Sequence, residues 1–84
     1  MSIVIVYTKA ICPYCVWAKD LLARKQIPYT EIRIDLEPSQ RDEMIRLTGR
    51  QTVPQIVINN QPIGGFDDLS ALDRSGELDR LLNI

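Results

Sequence analysis

The chain has 84 residues, 45% of them hydrophobic and 25% charged, with ten Lys+Arg against eleven Asp+Glu for a formal charge of -1. That length leaves room for one domain, spanning 1–84, and the composition is that of a globular chain rather than a disordered or collagenous one. There is no basic excess to displace counterions from nucleic acid, no apolar run near the ~20 residues of a membrane span, and no His for a catalytic triad or a metal site.

Ile3 to Tyr7 is an unbroken apolar, largely β-branched run, as expected of a strand buried on both faces. Thr8 to Ile11 then lead to Cys12-Pro13. Proline suits the first helical position, where its missing N–H costs nothing, so Cys12 is placed at the N-cap of a helix from Pro13 to about Lys25. Cys15, Ala18, Leu21 and Leu22 form the apolar stripe of that helix. It must end before Ile27-Pro28.

Tyr29 to Asp35 alternates polar and apolar residues and is predicted as a strand with one dry face. A second helix enters through Pro38, turns Met44, Ile45 and Leu47 inward, and stops at Gly49. Gln55 to Ile58 is a short strand. Asn59-Asn60 makes a two-residue hairpin turn, because Asn tolerates positive φ. Gln61 to Ile63 returns as an edge strand, since Pro62 cannot donate to a ladder. After Gly64-Gly65 a helix is expected from about Asp67 to Arg74, followed by an amphipathic turn built on Leu78, Leu81 and Leu82. The predicted class is α/β: a four-stranded mixed sheet in the order β-α-β-α-β-β-α, with helices on both faces and the first strand central.

Cys12 and Cys15 are the only cysteines, spaced C-x-x-C. Two sulfurs without His cannot close a four-ligand zinc site. A permanent bridge between them would close too small a loop to stabilise much by chain entropy. No basic stretch leads into a long apolar run at the N-terminus, so no secretory leader is expected and a reducing, cytoplasmic setting follows. On the pair alone, redox work, a metal shared between chains and chance spacing all stay open.

Lys9, Cys12-Pro13-Tyr14-Cys15, Thr52-Val53-Pro54 and Gly64-Gly65-Phe66-Asp67-Asp68 decide among them. In that order and spacing the chain resembles, over its whole length, a glutaredoxin of the small bacterial dithiol type, on a thioredoxin fold. The resemblance implies a glutathione-dependent thiol–disulfide oxidoreductase. It would reduce protein–glutathione mixed disulfides through Cys12 alone and protein disulfides through Cys12 and Cys15, ribonucleotide reductase being the typical client. Glutathione is the expected reductant. No metal, nucleic acid or membrane partner is expected, and the chain should be a monomer. A thioredoxin-like donor reduced by a flavoprotein, and a [2Fe–2S] carrier using Cys12 with glutathione, are the alternatives.

Within that frame Cys12 is the nucleophile. Helix amides and the Lys9 charge favour its anion, and a fall of about 3 units, or about 4 kcal/mol, would make the thiolate dominant at neutral pH. The main gain is a better leaving group, since nucleophilicity falls with pKa. Cys15, one turn on, resolves the mixed disulfide. Val53-Pro54 is implied to be cis, with the Val53 backbone open to an extended substrate. The Gly65, Phe66 and Asp67 segment would hold the γ-glutamyl carboxylate on helix amides, and Asp67 or Asp68 the ammonium. Asp67 also reads as an ordinary N-cap. Lys9 and Arg41 would take the glycyl carboxylate, although Arg41 reads equally well as a solvated helix residue. Tyr14 and Thr52 would flank the tripeptide. Three positions depart from the family's common pattern. Phe66 stands where many members carry cysteine, Trp17 where a small, basic or polar residue is usual, and Gln51 where a basic residue often precedes the TVP triplet.

Overall fold

A computed structural model describes residues 2–83; Met1 and Ile84, the outer ends of the expected domain, lie outside the described residues. The elements are β1 (Val4–Thr8), α1 (Pro13–Arg24), β2 (Thr30–Arg33), α2 (Pro38–Thr48), β3 (Gln55–Ile58), β4 (Gln61–Gly64), α3 (Phe66–Ser75) and α4 (Glu77–Leu82). The strands form one sheet in the order β2-β1-β3-β4. β1 runs parallel to β2 and antiparallel to β3, which is antiparallel to β4. β1 is central and the proline-bearing β4 is an edge, as Pro62 requires.

Alternation along β1 divides the core in two. Val4 and Val6 pack with Ala18, Leu21 and Leu22 of α1, Ile56 and Ile58 of β3, Leu69 of α3, and Leu78 and Leu82 of α4. Tyr7 and Ile5 face the other way, toward Val57 and the Met44, Ile45 and Leu47 that α2 lays over them. Three helices therefore cover one face and α2 the other. This explains why β1 reads as a continuous apolar run: both of its faces are covered. Each fully buried Leu or Ile contributes about 1.5–3 kcal/mol. Lys25, at the end of α1, ties the helical face together, its Nζ lying 2.7 Å from Asp73 of α3 and 2.8 Å from Asp79 of α4. Those contacts raise the Lys25 pKa.

Most expected boundaries fall within a residue of the observed ones. Gly49 caps α2 in the left-handed region at φ 72, its N–H donating to the Ile45 carbonyl at 2.8 Å. Asn59 and Asn60 both take positive φ in the hairpin. β2 is the clear exception, shorter at both ends than the expected Tyr29 to Asp35. The Ile34 N–H still donates to the Thr8 carbonyl at 2.9 Å, but the Leu36 and Glu37 N–H groups both fold back onto the Arg33 carbonyl. The Asp35 carboxylate meanwhile accepts from Arg33 and from the Ala10 N–H. A local turn and a local ion pair thus end the ladder at Arg33.

The strand directions position the site. Because β4 and β1 run alike and β3 opposes them, the end of β1, the start of β3 and the end of β4 lie at one margin of the sheet. The segments leading into α1 and α3, and the one leading into β3, therefore converge.

Candidate functional site

Cys12 is the N-cap of α1, in extended backbone at φ -136 and ψ 98, and its Sγ accepts from the Cys15 N–H at 3.2 Å. Its carbonyl takes the Val16 N–H at 3.1 Å, the first closed turn of the helix. A serine or aspartate oxygen commonly fills this role, and here a sulfur does. The amides that would hold a hydroxyl cap thus favour a thiolate. Cys12 and Cys15 are joined as a disulfide with Cα atoms 5.2 Å apart. Cys15 is 2% exposed while Cys12 is half-buried, so the first sulfur is the accessible one.

Beside Cys12 the Val53-Pro54 peptide is cis, and the Val53 carbonyl oxygen lies 4.0 Å from Cys12 Sγ. From there a groove of about 230 Å³ opens toward α3. Tyr14 of α1, Thr52, Val53 and Pro54 before β3, and Gly65, Phe66, Asp67 and Asp68 at the start of α3 line it together. Lys9 lies elsewhere, lining a second cavity with Cys12 and Cys15. Arg41 is not brought to the groove. α2 packs through Met44 over the opposite face of the sheet and leaves Arg41 exposed.

The start of α3 is built around Asp68. Its carboxylate accepts from the Gly65 N–H at 3.0 Å and lies 3.3 Å from Arg50 Nη1. Gly64 makes this possible: its φ is +124, and a Cβ there would stand 2.7 Å from the Asp68 Cγ. The two glycines therefore differ in purpose. A Cβ at Gly65 would meet only the Pro54 carbonyl, at an ordinary 3.5 Å. Trp17, whose place the sequence left open, packs edge-on against Tyr14 with ring centroids 5.0 Å apart and lies 5.9 Å from Phe66. It buttresses both aromatic walls of the groove while remaining 48% exposed.

Two groove residues escaped the sequence reading. Arg50 lines it, one residue before the Gln51 that departs from the family's common pattern. The left-handed turn at Gly49, and the Thr48 hydroxyl accepting the Arg50 N–H at 3.0 Å, set the backbone at this position. The available signal was an Arg directly after a helix-ending Gly. Gln55 is 1% exposed and its Nε2 donates to Thr52 Oγ1 at 3.3 Å. A polar residue opening the otherwise apolar strand Gln55–Ile58 was its signal.

The second cavity, about 410 Å³, opens on the other side of the cysteines, with Lys19, Glu31 and Arg33 on its wall beside Lys9. Glu31 Oε2 receives the buried Thr8 hydroxyl at 2.7 Å and Lys19 Nζ at 3.0 Å. The Thr8 bond foremost, then Lys19, holds the Glu31 carboxyl below its usual pKa. Arg33 does the same to Asp35, helped by the Ala10 N–H.

The glutaredoxin family's sequence profile matches residues 4–63. Glutaredoxin 3 of Escherichia coli K12 is 54% identical over 82 residues, covering 98% of this chain and 99% of that protein. A glutaredoxin of Pseudomonas aeruginosa is 51% identical over 83 residues, 99% of each. The crystal structure of a buckwheat glutaredoxin–glutathione complex aligns with a TM-score of 0.88 at 29% identity, covering 98% of this chain and 77% of that one. The α/β thioredoxin fold expected from the sequence is the fold observed, and the cysteine pair at the head of α1 suits dithiol redox work. The chain belongs to the glutaredoxin family.

Proposed function

We propose that the protein is a glutathione-dependent thiol–disulfide oxidoreductase of the cytoplasm, with glutathionylated and disulfide-bonded proteins, ribonucleotide reductase among them, as clients. One observation carries the reading. An accessible sulfur capping a helix N-terminus stands beside a groove in which helix amides, two carboxylates and an arginine converge. Glutathione carries two carboxylates and one ammonium, and this set of charges complements it. The Phe66 and Asp67 amides would hold the γ-glutamyl carboxylate, and Asp67 its ammonium, because Asp68 is already engaged with Gly65. Lys9, across the sulfur, would meet the glycyl carboxylate. The buckwheat relative, crystallised as a glutathione complex, supports the same ligand class.

In the one-thiol reaction the Cys12 thiolate attacks the glutathione sulfur of a mixed disulfide. The client leaves as a thiolate and takes a proton from water. A second glutathione thiolate then attacks the sulfur bound to Cys12, forming glutathione disulfide and restoring the thiolate. In the two-thiol reaction Cys12 attacks a client disulfide, and Cys15 then attacks Cys12 to release the client and close the Cys12–Cys15 bridge. Two glutathiones reopen it.

The test is steady-state reduction of a glutathione mixed disulfide, with glutathione and its reductase supplying electrons. Cys12→Ser is expected to abolish turnover. Cys15→Ser should keep it while losing reduction of protein disulfides. Turnover that survives in Cys12→Ser, or that runs on thioredoxin reductase but not on glutathione, overturns the reading.

A further inference from the structure

Cys15 has a chemical problem that Cys12 does not. It is 2% exposed, and its own N–H is given to Cys12 Sγ, so the helix N-terminus serves the first sulfur. Yet Cys15 must become a thiolate before it can attack a mixed disulfide on Cys12. Its open side is the cavity of about 410 Å³ whose charged lining is Lys9, Lys19, Glu31 and Arg33. Asp35 takes the charge of Arg33, with Nη2 at 2.6 Å. Lys9 belongs to the segment before Cys12. Lys19 is four residues beyond Cys15, and residues so spaced share a helix face with Cβ atoms about 5–6 Å apart. Its ammonium is fixed from β2 and β1: Lys19 Nζ donates to Glu31 Oε2 at 3.0 Å, and that oxygen accepts the fully buried Thr8 hydroxyl at 2.7 Å.

We propose that Lys19 is a positioning residue for the two-thiol reaction, its ammonium, anchored by Glu31 and Thr8, stabilising the Cys15 thiolate that closes the disulfide. This rests on the reading that Cys15 resolves a Cys12 mixed disulfide. The Cys15 thiol gives its proton to water, and its electron pair attacks Cys12 Sγ. The Cys12–Cys15 bond forms as the bond to the partner sulfur breaks. The partner departs as a thiolate and is protonated by solvent. The cysteine pair is oxidised and the partner reduced. Glu31 carries the opposing charge, but it is the group that pins the ammonium and lies on a different element, whereas Lys19 shares the helix face of the thiol.

The experiment loads Cys12 of the reduced full chain with a chromophoric aromatic thiol and follows that thiol's release, as Cys15 closes the bridge, across pH. A unit charge about 6 Å away in a water-like dielectric moves a pKa by about half a unit, and by more in a drier cavity. Lys19→Gln is therefore expected to raise the midpoint of the release rate by about half a unit or more. At neutral pH it should slow release about twofold or more, after allowing for the greater nucleophilicity of a more basic thiolate. Lys19→Arg should restore the wild-type profile. In a Cys15→Ser background, adding Lys19→Gln should leave one-thiol turnover unchanged, which also shows that the variant folds. A midpoint that does not move in Lys19→Gln, or an equal loss of one-thiol turnover, overturns the role. If the wild-type chain turns over a glutathione mixed disulfide but never releases the loaded thiol, the resolving function of Cys15 fails, and this inference with it.

Discussion

Replacing Gly64 by alanine tests whether the start of α3 is organised by Asp68. Gly64 sits at φ +124, a conformation that costs an L side chain about 1–3 kcal/mol. Its new Cβ would stand 2.7 Å from the Asp68 Cγ, inside van der Waals contact, so Asp68 must leave the Gly65 N–H that it holds at 3.0 Å. Losing that cap costs about 1 kcal/mol more. The sum, about 2–4 kcal/mol, corresponds to a melting temperature lower by about 8–30 °C in a domain of this size. Asp68→Ala alone loses only the cap, about 1 kcal/mol. The double variant keeps the backbone strain, loses the cap once and sheds the clash with the carboxylate, leaving only the Cβ of position 68 at a close 3.0 Å. The two single costs should therefore exceed the double cost by about 1 kcal/mol, the shared cap. Urea unfolding of the four proteins, with slopes compared to confirm one transition, measures this directly. Additivity to within about 0.5 kcal/mol would mean that Asp68 and Gly64 act independently, and would refute the argument.

Leu22→Ala, at a position with 0% exposure in the larger core cluster, should lower stability by about 2–5 kcal/mol, read from the urea midpoint. The Thr8 hydroxyl, then Lys19, holds the folded-state Glu31 carboxyl below the usual glutamate range. Its stabilising contribution is thus complete above the unfolded value and lost as pH falls through the folded one. Glu31→Gln should be less stable than wild type at neutral pH, with the gap closing on acidification below about 4; a gap that stays constant contradicts the network. Alkylation of Cys12 in the reduced protein should reach half its maximal rate well below the value of about 8.5 of a free thiol, and a midpoint there or higher contradicts stabilisation by the α1 amides. A glutathione analogue without the γ-glutamyl ammonium should show a KM about two- to fivefold higher, the worth of one exposed charge pair, and Asp67→Asn should erase the difference.

Where sequence alone succeeded, the signal was local. The apolar run of β1, the Asn59-Asn60 turn, the proline that places Cys12 at an N-cap and the glycine that ends α2 each encode their own conformation over a few residues. The readings that moved depended on partners distant in the chain or on competing short-range contacts. β2 was overextended because period-two alternation from Tyr29 to Asp35 does not reveal that Arg33 will be taken by Asp35. Arg41 stands exposed on α2, whose packing face is decided by Met44 meeting Tyr7 and Val57. Arg50 reaches the groove through the geometry of the turn after Gly49, which the residues on either side do not spell out. In sequence the Gly64-Gly65 pair marks only a break before a helix, whereas in the structure the first glycine makes room for Asp68. Nothing in the spacing distinguishes those uses.

The two helix N-termini that meet at this margin are furnished in opposite ways, and the difference bears on what each can hold. α1 has no acidic residue in its first turn, whereas α3 carries Asp67 and Asp68 there. A helix N-terminus behaves as roughly half a positive charge. At α1 that partial charge is left uncancelled, and the group placed on it is a sulfur able to ionise. At α3 the two carboxylates more than offset it. A lone anion arriving there would meet amide donors but also net negative charge, while a group bearing its own ammonium beside its carboxylate satisfies both. Arg50 adjusts this balance by lying against Asp68, whose second attachment to the Gly65 N–H keeps it turned back on the helix. Asp67 is then the acid left facing the groove. The same structural device, used twice with different first-turn residues, thus favours an anionic sulfur at α1 and, under the proposed function, a zwitterion at α3.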